Sequence, residues 1–281
     1  MTIIQGKEFG GERPLYHQDH LQLEGVTIHV GESSIKECRV IRARNCRFEG
    51  KYVFWETKDF RAEDCVFTPS ARSSLWYSRK GLLRNCQVDA PKMFRRMDDI
   101  QVYNCTFSDA QEMLWDCSNI TMCDVTTQNA DYLGTHAQNV SLTRFQQNGN
   151  YAFQYGQDIV IRDSVLNSKD ALWECKNVHL INCEINGEYF AWYAQNLTLE
   201  NCHITGEQPL CYCRNLVMKN CTMGDDANLA FEYSSVKADI RGHIVSVKNP
   251  TSGYIHADSI GEIILDENQR HPRSCEIIHN S

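Results

Sequence analysis

The residues best suited to chemistry in this 281-residue chain recur at one spacing. Asp116 and His136 occupy the same phase of a repeat, one unit apart, and Arg96 precedes them by one unit more. A carboxylate beside an imidazole raises its pKa and fixes its ring, which is what a general base needs. An arginine alongside would neutralise a substrate carboxylate. The trio therefore fits proton abstraction from an acidic sugar, a lyase-type reaction. Glu174 shares the phase but lies three units from Asp116. At a strand spacing of ~4.8 Å that is ~14 Å, outside the ~5–9.5 Å over which two glycosidase carboxyls cooperate. Tyr132, Tyr151, Tyr155, Tyr193, Trp115 and Trp173 fall beside these groups. Flat aromatic rings pack on sugar C–H faces while acids and Arg bond hydroxyls, so a carbohydrate-binding groove is the expected site. A plainer account weighs as much. Stacked aromatics stabilise a fold by themselves, and any long file of mixed polar residues sets some acid beside some histidine.

Other chemistries find little support. Cys211-Tyr-Cys213 has no second pair at zinc-finger spacing, the ten histidines are scattered, and no H-E-x-x-H occurs. Cys117, Cys175 and Cys213 share a column of small residues and read as core. No glycine-rich phosphate loop is present. Neither a metal nor another cofactor is expected.

What must position the candidate residues is the repeat itself. "ALWECKNVHLINCEI" at 171–185 is nearly rewritten as "FAWYAQNLTLENCHI" at 190–204. With the Cys of "NC" as phase zero, the column reads Val26, Cys46, Cys65, Cys86, Cys105, Val125, Phe145, Ser164, Cys183, Cys202 and Cys221, in steps of 19 to 21 residues. Seven of the fourteen cysteines sit in it, as small buried hydrophobes. Asn or Asp recurs one and six positions earlier, where a chain bends through left-handed geometry. Apolar residues at five and three before and two after make an alternating strand, as in "LTLENCHI". A unit of ~19 residues is too short for the common helical repeats, but it can make one turn of short strands and bends. Such turns stack because one turn cannot bury its own inner face. The expected fold is an all-β, right-handed parallel β-helix (a solenoid) of ten to twelve coils. Asn files would share amide hydrogen bonds. Disulfides up the Cys file are not expected, since Cβ atoms ~4.8 Å apart exceed the ~3.8 Å a bridge wants.

The segment ahead of each Asn bend poses a conflict. Ten positions before phase zero lie all five tryptophans, with Arg95 among them. Eleven before are Phe54, Leu75, Phe94, Leu114, Gly134, Phe153, Leu172, Ala191 and Leu210; nine before are Tyr, acids, Arg96 and His136. Adjacent columns cannot both face inward on a regular strand. The charged column must face solvent, so alternation puts Trp and the small column inside and the Phe/Leu column outside. Gly134 and Ala191 would then be dents in an exposed apolar stripe. The reverse arrangement requires a bulge.

The chain is expected to be one domain over 1–281, with an N-terminal cap at 1–20, regular coils at 21–235, and capping strands at 236–281. Net charge is −8, which disfavours nucleic acid and polybasic membrane contact. The opening residues lack a basic and apolar leader, and no apolar run approaches membrane length, so a soluble cytoplasmic protein without nucleic-acid or membrane partners is expected.

Several stretches resemble a known family: "GERPLYH" at 11–17, "SLWYSRKGLLRNC", "FAWYAQNLTLENC", "QPLCYCRNLVMKNC" and "SVKNPTSGYIHADSIGEIILDEN". They are similar to the bacterial domain-of-unknown-function family numbered 3737, proteins resembling pectin-lyase-like single-stranded right-handed β-helices. The resemblance spans the whole chain and implies the fold. It carries no catalytic motif onto this sequence. The wider pectin-lyase-like group includes polysaccharide lyases and hydrolases, an implication that rests on fold analogy alone. Two functions follow as expectations: a carbohydrate-binding β-helix with lyase or glycoside-hydrolase activity as its catalytic form, or a non-catalytic scaffold whose apolar stripe mediates self-association or partner binding.

Overall fold

"LTLENC" alternates apolar and polar residues, and in the computed structural model, which describes residues 1–267 and 274–279, that alternation is a strand. Leu197 and Leu199 of the strand Gln195–Glu200 are fully buried, while Thr198 and Glu200 point outward. Leu199 stands opposite Leu180 on the preceding turn and Met218 on the next, both in parallel register. Every repeat pairs with its equivalents this way, so strands build a parallel β-solenoid of about 14 turns of roughly 19 residues. Two compact units divide the chain, Met1–Ser141 and Leu142–Ser281.

The count exceeds ten to twelve because turns form where the Asn-Cys signature is missing. In the first unit, Thr2–Gln5 pairs with Asp19–Glu24 and Glu8–Glu12 with Thr27–Glu32. In the second, the long strands Ser235–Lys248, Ser252–Ile264 and Ser274–His279 pair in parallel. Backbone pairing needs only an extended chain, not the signature side chains.

The Asn/Asp columns are the corners. Those one and six residues before the Cys file hold φ between +51° and +59°, from Asn104 to Asp99. A short amide or carboxylate tolerates this left-handed region at lower cost than other L-residues. The amides also form ladders. In the first unit Asn85 donates to Asp64 (3.0 Å) and Asn104 to Asn85 (2.9 Å). In the second, Asn177, Asn196 and Asn215 run up from Asp158 at 2.8, 2.9 and 3.0 Å. A third file climbs from Asn148 through Asn167 and Asn186 to Thr205.

Inside, the Cys files stack as free, buried thiols. Each Sγ donates to backbone carbonyls, as Cys183 does to Ile181 (3.3 Å). Burial pushes the Cys117, Cys175 and Cys211 thiols up to about 12, which favours the neutral thiol at neutral pH. Large rings fill the rest: Phe54 and Phe60 stack with centroids 4.8 Å apart.

Candidate functional site

The segment that carries the expected site residues is not a continuous strand; it forms strand only in two-residue pieces, Leu75–Trp76 and Phe94–Arg95. Alternate residues hold positive φ, as in Tyr151, Phe153 and Tyr155, or Tyr189, Ala191 and Tyr193. The in-out alternation of a strand therefore does not apply. Phe54, Leu75, Phe94, Leu114, Phe153, Leu172 and Leu210 are buried together with the small column, while Trp and the Tyr/acid column beside it both face outward. The parity expected from the sequence is reversed. Gly134 and Ala191 are core positions rather than surface dents, and Phe94 and Leu114 are unavailable to any partner.

The tryptophans brace this wall. Trp55 and Trp76 stack at 5.3 Å and 29°, and the Arg95 guanidinium lies between Trp76 and Trp115, 4.4 and 4.6 Å from their centroids. Glu112 holds Arg95 at 3.0 Å and Lys92 at 2.9 Å. Trp115 Nε1 donates to the Tyr132 carbonyl (2.6 Å), and Trp192 Nε1 to that of Gln208 (2.7 Å). Trp173 packs on Trp192 at 5.3 Å. Each indole thus pins one turn to the next.

Arg96, Asp116 and His136 occupy successive turns of one exposed file in the first unit, the Asp116 N–H donating to the Thr135 carbonyl. Arg96 Nε lies 3.6 Å from Asp116 Oδ2, so the guanidinium expected to meet a substrate carboxylate already faces one of the protein's own. Tyr132 is exposed in the same unit. Tyr151, Tyr155, Trp173, Glu174 and Tyr193 belong to the second unit, where Tyr155, Glu174 and Tyr193 are exposed and Tyr151 and Trp173 half-buried.

The second unit has a trough of 740 Å³ between two outward files. One file is Glu174, Tyr193, Tyr212 and Tyr233; the other is Lys176, Gln195, Arg214 and Ser235. Cys213 lies between them, and Thr251, Ser252 and Ser274 close one end. Tyr193 and Tyr212 are stacked at 4.6 Å and 10°, and Tyr233 continues the file 5.8 Å from Tyr212. Burial, then the nearby Glu232 carboxylate, pushes the Tyr212 phenol up to about 12, so it stays a hydroxyl donor. Glu232 itself is held by Lys248 at 2.9 Å. Lys176 and Arg214 are exposed and have no ion-pair partner among the described residues.

Of the expected residues, Glu174 and Tyr193 line this trough and Trp173 backs it, its ring 5.7 Å from Tyr193. Arg96, Asp116, His136, Trp115, Tyr132, Tyr151 and Tyr155 are not among its lining. The sequence reading missed Tyr212, Tyr233, Lys176, Gln195 and Arg214. The signal existed: Lys176, Gln195 and Arg214 share one phase, seven before the Cys file, and they are polar at three successive turns. Among the described residues, no three His, Cys, Asp or Glu side chains gather as a metal site, and no helix is long and apolar enough to cross a membrane.

Comparison with solved structures returns β-helix proteins at low identity. A tailspike protein mutant of E. coli bacteriophage HK620, in complex with pentasaccharide, is 9% identical over 93% of this chain, with a TM-score of 0.42. This chain spans 65% of that tailspike's length. PfbA, a surface adhesin of Streptococcus pneumoniae, is 8% identical over 99% of this chain and 85% of its own, with a TM-score of 0.38. The catalytic domain of a GH87 α-1,3-glucanase variant, in complex with tetrasaccharides, is 9% identical over 99% of this chain and 63% of its own, with a TM-score of 0.32. No curated protein matches the chain. One family model covers residues 2–278, nearly the whole solenoid, and by that match the chain belongs to the family described as protein of unknown function (DUF3737).

Proposed function

We propose that the unit Leu142–Ser281 binds a segment of acidic carbohydrate in the trough beside Tyr193, Tyr212 and Tyr233. The observation that carries this reading is the pairing of a stacked tyrosine file with Lys176 and Arg214, two exposed cations with no carboxylate partner among the described residues. Tyrosine rings offer flat apolar faces to sugar C–H groups and phenolic hydroxyls to sugar oxygens. Arg214 can grip a carboxylate or sulfate with two parallel N–H bonds, and Lys176 supplies a point charge two turns away. Glu174 accepts hydrogen bonds from sugar hydroxyls.

Binding is better supported here than turnover. Hydrolysis by paired carboxyls needs two of them across the scissile bond, and among the described residues Glu174 is the one carboxylate that lines the trough. In the first unit, Arg96 would have to leave Asp116 before meeting a uronate. The test is a glycan array spanning acidic and neutral polysaccharides, followed by titration. Tyr212→Ala should weaken binding about tenfold, equivalent to about 1.4 kcal/mol. Arg214→Gln should erase the preference for acidic over neutral chains. Wild-type protein that holds no glycan, or a Tyr212→Ala variant that binds as well as wild type, would overturn the reading.

A further inference from the structure

The exposed face of the second unit's site is written a second time in the first unit. Four of the five tryptophans fall into two pairs one turn apart. In the second unit "WECK" (173–176) is followed by "WYAQ" (192–195); in the first, "WETK" (55–58) is followed by "WYSR" (76–79). Trp-Glu-x-Lys occurs at these two places and nowhere else in the chain.

The geometry repeats with the letters. Trp173 and Trp192 pack at 5.3 Å and 33°, Trp55 and Trp76 at 5.3 Å and 29°. Tyr193 lies 5.7 Å from Trp173, and Tyr77 lies 5.1 Å from Trp55. The second indole of each pair donates to a carbonyl of the following turn, Gln208 at 2.7 Å and Lys92 at 2.6 Å. Glu174 and Glu56 donate their N–H to the carbonyls of Trp192 and Trp76. Lys176 stands in register with Gln195, and Lys58 with Arg79. Glu56, Lys58, Tyr77 and Arg79 are all exposed.

Indole stacking accounts for the recurrence of tryptophan. It does not account for glutamate, lysine and tyrosine at the same exposed positions, where substitutions ordinarily shift stability by less than about 0.5 kcal/mol. We infer that the unit Met1–Ser141 carries a second site of the same kind, built on Glu56, Lys58, Tyr77 and Arg79, so that one chain binds two acidic glycan segments. The inference rests on the reading of the trough given above. The charge inventory supports it: Glu56 with Lys58 and Arg79 matches Glu174 with Lys176 and Arg214, one carboxylate to two cations in each. The third turn differs. Where the second unit has Tyr212, the first has Arg96, engaged with Asp116. Arg79 Nε also lies 4.0 Å from Asp98 Oδ2. The second site therefore lacks the stacked tyrosine pair and should bind the more weakly.

Isothermal titration of the full chain with a tetrasaccharide of a hexuronic acid should give two sites per chain. Tyr77→Ala with Lys58→Gln should leave one, the tighter; Tyr212→Ala with Lys176→Gln should leave the other. All these side chains are at least partly exposed, and unchanged melting would show that the variants fold. A stoichiometry of one, lost with Tyr212→Ala and indifferent to Tyr77→Ala, sinks the second site and leaves the trough standing. Absence of any uronate binding by wild type sinks both.

Discussion

An amide side chain both donates and accepts a hydrogen bond, whereas a carboxylate only accepts. That difference orders the corner files. Asp64, Asp98, Asp158 and Asp163 sit at the foot of their ladders, and each accepts from the asparagine of the next turn. Asn196 lies mid-ladder, giving to Asn177 and receiving from Asn215. Asn196→Asp removes the donor and faces a carboxylate with an acceptor. It should destabilise the second unit by about 1 kcal/mol at neutral pH, and urea unfolding should show the loss shrinking below about pH 4 as the carboxyl regains a proton. The feet titrate in the opposite sense. Hydrogen bonds from Ser118 and Asn119 hold Asp98 below its ordinary pKa, and those from Asn177 and Gln157 do the same for Asp158. Their contribution is complete above pH 3.8 and is lost as pH falls through the lowered values. His29 has the reverse sign. Hydrogen bonds to Glu8 and Glu49, both 3.1 Å, raise its pKa and tie three turns together. Its contribution is full below its ordinary value of 6.5 and fades as pH rises through the raised one. Protection of the strand Glu8–Glu12 against hydrogen exchange, after correction for the intrinsic base-catalysed rate, should therefore be lower at pH 8 than at pH 6, and a His29→Gln variant should lose that difference. The Asn/Asp columns were legible from the sequence because the left-handed corner favours a short amide or carboxylate and the ladder favours the amide.

At the scale of the turn, side-chain volume is traded between neighbours. The inward position at Gly81 is empty because Phe60, its register partner, fills the space; a Cβ there would lie 2.3 Å from the Phe60 ring and 2.4 Å from the Met97 methyl. Gly81→Leu should destabilise the first unit by about 1–3 kcal/mol through overpacking, and Phe60→Leu should recover part of that in a double-mutant thermal melt. The opposite sign, a stabilised Gly81→Leu, would mean the core holds a void at this turn. The wall that carries Trp and Tyr follows another rule. Period-2 alternation reads correctly in strands such as Gln195–Glu200, and it fails where alternate residues turn left-handed. Nothing in the side-chain pattern reports φ at Leu114 or Phe153, since bulky residues there are not the usual signal for positive φ. The two orientations of the Trp column were therefore not distinguishable by pattern, and the wrong one followed from assuming a strand.

Across the whole molecule, thiol exposure gives an independent check on the stack. Of fourteen cysteines, twelve are buried and two, Cys123 and Cys275, are half-exposed. Maleimide should modify these two in the native protein and all fourteen after unfolding in urea. Rapid labelling of Cys183, Cys202 or Cys221 in the native state would contradict the inward Cys file. The same file explains why a cysteine-rich chain needs no bridges: each turn contributes one small apolar group to a column that would be exposed in any turn standing alone.

The period, the Asn corners, the Cys file and the parallel stacking were determined by the sequence alone. Identical positions in consecutive turns face identical surroundings, so the repeat writes its own structure down. The trough was decided by tertiary structure. Glu174, Tyr193, Tyr212, Lys176 and Arg214 come from three separate turns, and left-handed residues in the wall turn two neighbouring columns outward at once. Concavity is a property of how stacked turns bend, and no single turn contains it.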